Sequence, residues 1–257
     1  MEGSKNMKIN TLKFAVLAAL AAPITAIHAE EAPAAASAWD DWSVSANVGL
    51  YSDYIWRGVT QTNNEAALQG GFDVEHSSGF YAGVWASNVE WTTDGGYMDD
   101  NSLEIDAYAG YAFDISDISF DVGVLQYMYP GDKADGATEV DATEVYAGLG
   151  YDFGYFSAGY YAYVLVSDEG WGFANADGTV YHDISAEVPV GETGLSINGH
   201  YGIWVGEGEI TGDAEYDDWK VGLDYAINDN WNVGVFHTDV DTSIAKEETV
   251  VYLHASF

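Results

Sequence analysis

Arg57 is the single arginine of a 257-residue chain that carries 42 aspartates and glutamates. Asp53 precedes it, and in an extended chain the two side chains fall on one face with Ile55 between them. A lone guanidinium among carboxylates has two uses. It can line a constriction and orient passing solutes, or it can pair with Asp53 or with an acid on a neighbouring strand; the ion pair is the favoured reading. The same parity carries Asp73, Glu75, Glu90, Glu104, Asp106, Asp121, Glu144, Asp183, Glu187 and Asp224, opposed by Lys220. Carboxylates around a low-dielectric tunnel concentrate cations and repel anions. Small polar or cationic solutes are therefore the expected partners if these residues line a pore. The competing arrangement has some of them hydrogen-bonding inward and partly plugging a narrow lumen. Tyr108, Tyr127, Tyr129, Tyr146, Tyr161, Tyr163 and Tyr181 share the parity, and filling space is expected of them ahead of a stacking track for sugars or nucleosides.

Other chemistries find less support. The chain has no cysteine, so thiolate and disulfide chemistry is absent. A net charge of −35 argues against nucleic acid as a partner. His76, His182, His200, His237 and His254 show no nucleophile–base spacing, so an enzyme is not expected, with a barrel hydrolase as the minor alternative. Asp94, Asp99 and Asp100, and Glu207, Glu209 and Asp213, lack calcium-loop spacing and read as solvated loop faces. No metal or cofactor is expected.

The elements that must position these residues follow a short leader. Lys5, Lys8 and Lys13 precede or flank an apolar stretch at 14–22, broken by Pro23 and followed by Ile27-His28-Ala29. Residues 1–29 thus read as a signal peptide and 30–42 as a disordered periplasmic lead-in. From 43 to 257 no run of eighteen apolar residues occurs, which excludes membrane-spanning helices on hydropathy grounds. The period is instead two. Twelve segments alternate: 43–59, 66–76, 80–91, 102–113, 117–130, 139–153, 155–166, 178–189, 195–206, 215–226, 230–239 and 247–257. In one of them Leu103, Ile105, Ala107, Ala109, Tyr111 and Phe113 interleave with Glu104, Asp106 and Tyr108.

A soluble sandwich would alternate too. Three features favour a single closed antiparallel transmembrane barrel. Short connections interleave with longer acidic ones at 61–65, 92–101, 131–138, 167–177, 207–214 and 240–246, as periplasmic turns and extracellular loops do. Aromatics of the apolar parity form two levels. The lower holds Phe72, Tyr111, Phe113, Phe120, Tyr151, Phe153, Phe156, Tyr225, Trp231 and Phe257, and the upper holds Tyr54, Trp56, Trp91 and Trp219. The last strand ends Val251, Leu253, Ala255 and Phe257 on one parity, similar to the terminal signal read by the barrel-insertion machinery.

Several stretches add a resemblance: Ser52-Asp53-Tyr54-Ile55-Trp56-Arg57-Gly58-Val59-Thr60-Gln61-Thr62, Gln69-Gly70-Gly71-Phe72-Asp73 and Gly79-Phe80-Tyr81-Ala82-Gly83-Val84-Trp85-Ala86-Ser87-Asn88-Val89. Leu103-Glu104-Ile105-Asp106-Ala107-Tyr108-Ala109-Gly110-Tyr111, Asp121-Val122-Gly123-Val124-Leu125 and Tyr129-Pro130-Gly131 continue it. These segments resemble the TorF-type family of proteobacterial porins, which implies a barrel in the bacterial outer membrane and brings no established catalytic residue to carry over. The expectation is a passive, cation-preferring channel in contact with outer-membrane lipid and lipopolysaccharide. A structural or adhesive barrel with a closed lumen is the alternative, and association into a homo-oligomer is compatible with either.

Overall fold

A computed structural model describes residues 41–206, 215–242 and 245–257. The expected signal peptide, all but the end of the expected lead-in, and Glu207, Glu209 and Asp213 lie outside them. Twelve strands close a barrel: β1 (Trp42–Tyr51), β4 (Ala67–His76), β5 (Phe80–Asn88), β6 (Leu103–Ile115), β7 (Ile118–Met128), β8 (Ala142–Asp152), β9 (Ser157–Leu165), β12 (Val180–Pro189), β13 (Leu195–Val205), β14 (Glu215–Ala226), β15 (Trp231–Val240) and β16 (Glu248–Ser256). Every neighbouring pair is antiparallel, and β16 returns to β1 with Asn47 opposite Ser256 and Tyr51 opposite Tyr252. Two small hairpins, β2 (Ile55–Trp56) with β3 (Val59–Thr60) and β10 (Glu169–Gly170) with β11 (Phe173–Ala174), lie in the longer connections, as does one helical turn, α1 (Trp91–Asp94).

The alternation resolves into an inverted protein. On β6 Leu103 is 38% exposed while Glu104 is 1% and Asp106 is 0% exposed. Along the other strands Val44, Leu50, Leu68, Val221 and Val251 face outward and Tyr127, Glu144, Tyr161, Tyr181, Asp183 and Trp204 are buried inside. A soluble sandwich would reverse that assignment, because apolar burial is its main driving force. An apolar outer band over a polar interior is stable only where the surroundings are themselves apolar. Closure follows from the same physics, since an unpaired strand edge facing hydrocarbon leaves backbone groups without partners.

Short turns, at 77–79, 116–117, 153–156, 190–194 and 227–230, gather at one end, with Ser116 at φ +59° in the two-residue turn that joins β6 to β7. The other connections gather at the opposite end. The aromatic level at the short-turn end is present: Tyr111 stacks with Phe113 and Phe113 with Phe120 at centroid distances of 5.6 and 5.4 Å, and Phe153 stacks with Phe156 at 4.4 Å. The upper level is not. Of the four residues expected there only Trp219 is outward; Tyr54 is 1% exposed, Trp56 points into the barrel and Trp91 begins α1, where it packs edge-on to Tyr129. Inside, tyrosines lie across glycines of the neighbouring strand. Tyr81 is opposite Gly110 and Tyr146 opposite Gly123, so rings occupy the space that a Cβ would fill at either glycine.

Candidate functional site

The first connection, 52–66, corrects the expectation that strand 1 runs to residue 59. β1 ends at Tyr51, and the chain then folds back into the lumen as the β2–β3 hairpin. Its two-residue turn is Arg57-Gly58, at φ +47° and +82°, the left-handed pair that matches the twist of a tight hairpin. Gly58 is required twice over, because a Cβ there would stand 2.7 Å from that of Asp218 and 2.8 Å from that of Val240. The base of the hairpin is tied by Asp53, which accepts from Thr60 Oγ1 at 2.7 Å and Thr62 Oγ1 at 2.8 Å. Tyr54 N–H donates to Thr62 Oγ1, and Tyr54 Oη donates to Glu104 at 2.8 Å.

Asp53 and Arg57 are therefore loop residues, and they do not pair with each other. Arg57 crosses the lumen to β8, where Nη2 donates to Glu144 Oε1 and Oε2 at 2.9 and 2.7 Å. Glu144 also accepts from Tyr127 Oη at 3.0 Å. Five rings surround the guanidinium: Tyr181 and Trp56 at 4.3 and 4.4 Å from Cζ to ring centroid, then Trp204, Tyr163 and Trp171 at 5.2, 5.4 and 5.6 Å. Cation–π contacts in such a desolvated place contribute up to ~2 kcal/mol each. Arg57 is thus neutralised and caged. It holds a loop across the lumen and is not a free charge exposed to a passing solute.

The inward carboxylates separate into two tiers. Nearer the long connections lie Glu104, Asp106, Glu144, Asp183 and Asp218. Asp106 is fully buried and neither of its oxygens has a hydrogen-bond partner among the described residues. Asp183 and Asp218 share His200, whose Nδ1 lies 3.0 Å from Asp183 Oδ2 and whose Nε2 lies 3.1 Å from Asp218 Oδ1. Nearer the short turns, Asp73 is bonded by Tyr108, Asp121 accepts from Tyr81 and Tyr161 at 2.7 and 3.1 Å, and Asp224 is bonded by Tyr252 and Asn198. The tyrosines thus fill the interior and hold its acids at once. Lys220 projects inward from β14, 5.2 Å over the Phe236 ring.

Between the hairpin turn and the β12–β15 wall a cleft of about 490 Å³, adjoining open space included, is lined in part by Arg57, Tyr181, Asp183, His200, Lys220 and Phe236. Asp218 and Trp171 were not singled out from the sequence. Asp218 sits on the inward parity and was legible by that rule; Trp171 lies in a connection, where alternation carries no information. Among the histidines, His182 bonds to Tyr160 on the outer face and His254 to Asn232 inside, while His76 Nδ1 meets Ser78 Oγ at 2.7 Å in a short turn and His237 Nδ1 meets Thr249 Oγ1 at 2.9 Å on the outer face. Among the described residues no cluster of acids and histidines has metal-ligand geometry.

Residues 34–256 match a family described as bacterial protein of unknown function (Gcw_chp). No curated protein matches the chain. Among solved structures, a membrane protein from a work on the mechanism of in-meso crystallization is 14% identical, with 83% of each chain covered and a TM-score of 0.50. An outer membrane channel from Pseudomonas putida F1 is 12% identical, over 86% of this chain and 99% of that one, with a TM-score of 0.49. At this identity the likeness is one of fold.

Proposed function

The chain belongs to that bacterial family, and from this premise we propose that it is an outer-membrane channel for small polar solutes, with the β2–β3 hairpin as its constriction. The observation that carries the reading is the inverted barrel itself. Its outer band suits lipid, its inner face is polar, and free space remains beside the hairpin tip. The leader at 1–29 and the TorF-type segments favour the same location. Val251, Leu253, Ala255 and Phe257 are read as the signal for insertion, with outer-membrane lipid and lipopolysaccharide as surroundings.

The proposed pore lining consists of Asp73, Glu104, Asp106, Asp121, Glu144, Asp183, Glu187, Lys220 and Asp224, and the hairpin that narrows it brings in Asp53 and Arg57, the latter neutralised by Glu144. Carboxylates outnumber cations there, so the channel prefers cations. A second reading, a closed structural barrel, is favoured by the ring cage around Arg57, which fills the upper lumen. Planar-bilayer recordings decide between them: stepwise currents with a cation-directed reversal potential are expected. Absence of any step removes the channel, and an anion-directed potential removes the acidic filter.

A further inference from the structure

Only four basic residues follow the leader, Arg57, Lys133, Lys220 and Lys246, and two of them line the same cleft. In a chain of net charge −35 the lumen thus holds one spot where two cations converge. They are not equivalent. Arg57 is consumed by Glu144, whereas Lys220 makes no ion pair within 4.0 Å among the described residues and feels Asp183, Asp224 and Asp218 only through space. On the same wall Asp183 gives one oxygen to His200, while its other oxygen, Oδ1, is buried without a hydrogen-bond partner among the described residues. Asp183 on β12 and Lys220 on β14 are separated by β13, where Gly202 faces Asp183 and His200 faces Lys220. With strands spaced at roughly 4.8 Å and an offset of roughly 6.8 Å along β13, their backbones stand roughly 12 Å apart.

An ammonium outside any close ion pair and a carboxylate with one oxygen free of hydrogen bonds therefore line one cleft. Phe236 and Tyr181 add apolar surface to the cleft. We propose that this cleft is a binding site for small zwitterions of the α-amino acid class, the solute carboxylate meeting Lys220 and its ammonium meeting Asp183. The proposal deepens the channel reading, on which it rests for the arrival of the solute. The acidic tiers draw in the ammonium end, and the Lys220 spot then accepts the carboxylate that they would otherwise repel.

The test is titration calorimetry on the full chain folded in detergent, with L-alanine as zwitterion and ethylamine and propionate as its single-charge halves. Saturable heat is expected for L-alanine and, at equal concentration, a response at least roughly tenfold weaker for either half. Lys220→Met is expected to weaken L-alanine roughly tenfold and Asp183→Asn by a similar factor, while neither variant changes the response to the half that lacks its partner charge. No saturable heat from L-alanine, or equal heats from all three probes, overturns the proposal without use of any variant. Bilayer recordings on the same preparation keep the two readings apart. Heat without current steps refutes the channel alone, and steps without heat refute the site alone.

Discussion

Arg57 Nη2 donates to both carboxylate oxygens of Glu144, at 2.9 and 2.7 Å, across 87 positions of sequence and five strands of the barrel wall. The pair is buried, and breaking a buried pair by removing one partner costs about 3–5 kcal/mol because the other charge is stranded. The β1–β16 and β1–β4 ladders do not depend on it, so the loss falls on the hairpin. Arg57→Ala and Glu144→Gln are each expected to free the hairpin from the far wall and raise single-channel conductance, with the barrel intact by heat-modifiable gel mobility. The double variant is expected to open no further than either single one. Unchanged conductance in both would show that the hairpin does not limit passage.

Gly58 offers the same outcome without a change of charge. At φ +82° any side chain is strained, and a Cβ meets Asp218 and Val240 closer than van der Waals contact allows. Gly58→Val is expected to displace the tip, raise conductance as Arg57→Ala does, and leave the reversal potential unaltered. If conductance falls, the tip yields by moving further into the lumen, and the hairpin is not held there by its fit to β14 and β15.

The twelve strands were legible because one face of each is set by surroundings that tolerate only one kind of side chain. β14 spans the expected residues 215–226, and the other ends moved by a few residues apart from that of β1. The hairpin was hidden for the same reason. Tyr54 and Trp56 continue the apolar parity of β1, and Asp53, Ile55 and Arg57 continue the other, so period two reads straight through a reversal. A signal was present in Arg57-Gly58, flanked symmetrically by Ile55-Trp56 and Val59-Thr60, with Asn63 and Asn64 at φ +51° and +65° beyond. Glu144 as the partner was not legible, because no local pattern states which strand lies across a lumen.

The lower acidic tier gives a test of selectivity that spares the fold. Asp73 is held by Tyr108, and an amide in its place still presents an oxygen to that hydroxyl, while Glu187 lies half-buried in the same tier. Asp73→Asn with Glu187→Gln is expected to move the reversal potential in a salt gradient toward zero. The shift should be largest at about 0.1 M salt, where screening extends about 10 Å, and small at 1 M, where it extends about 3 Å. Equal potentials for variant and parent at low salt would assign the preference elsewhere.

Phe257 joins two roles that substitution can separate. Its backbone closes the barrel, donating to Ala46 O at 2.8 Å and accepting from Ala46 N at 3.0 Å, while its ring stands 65% exposed on the outer face. Deleting the residue removes both; Phe257→Ala keeps the backbone pair. Loss of the ring forfeits at most roughly 1.5–3 kcal/mol of burial in lipid, little against a ladder of twelve strand pairings. If the ring is only an anchor, Phe257→Ala folds from urea into detergent and assembles in cells at parental yield. If it is read by the insertion machinery, the same variant refolds normally in vitro yet accumulates unassembled in cells. The second result is expected, measured as the heat-modifiable fraction in pulse-chase samples.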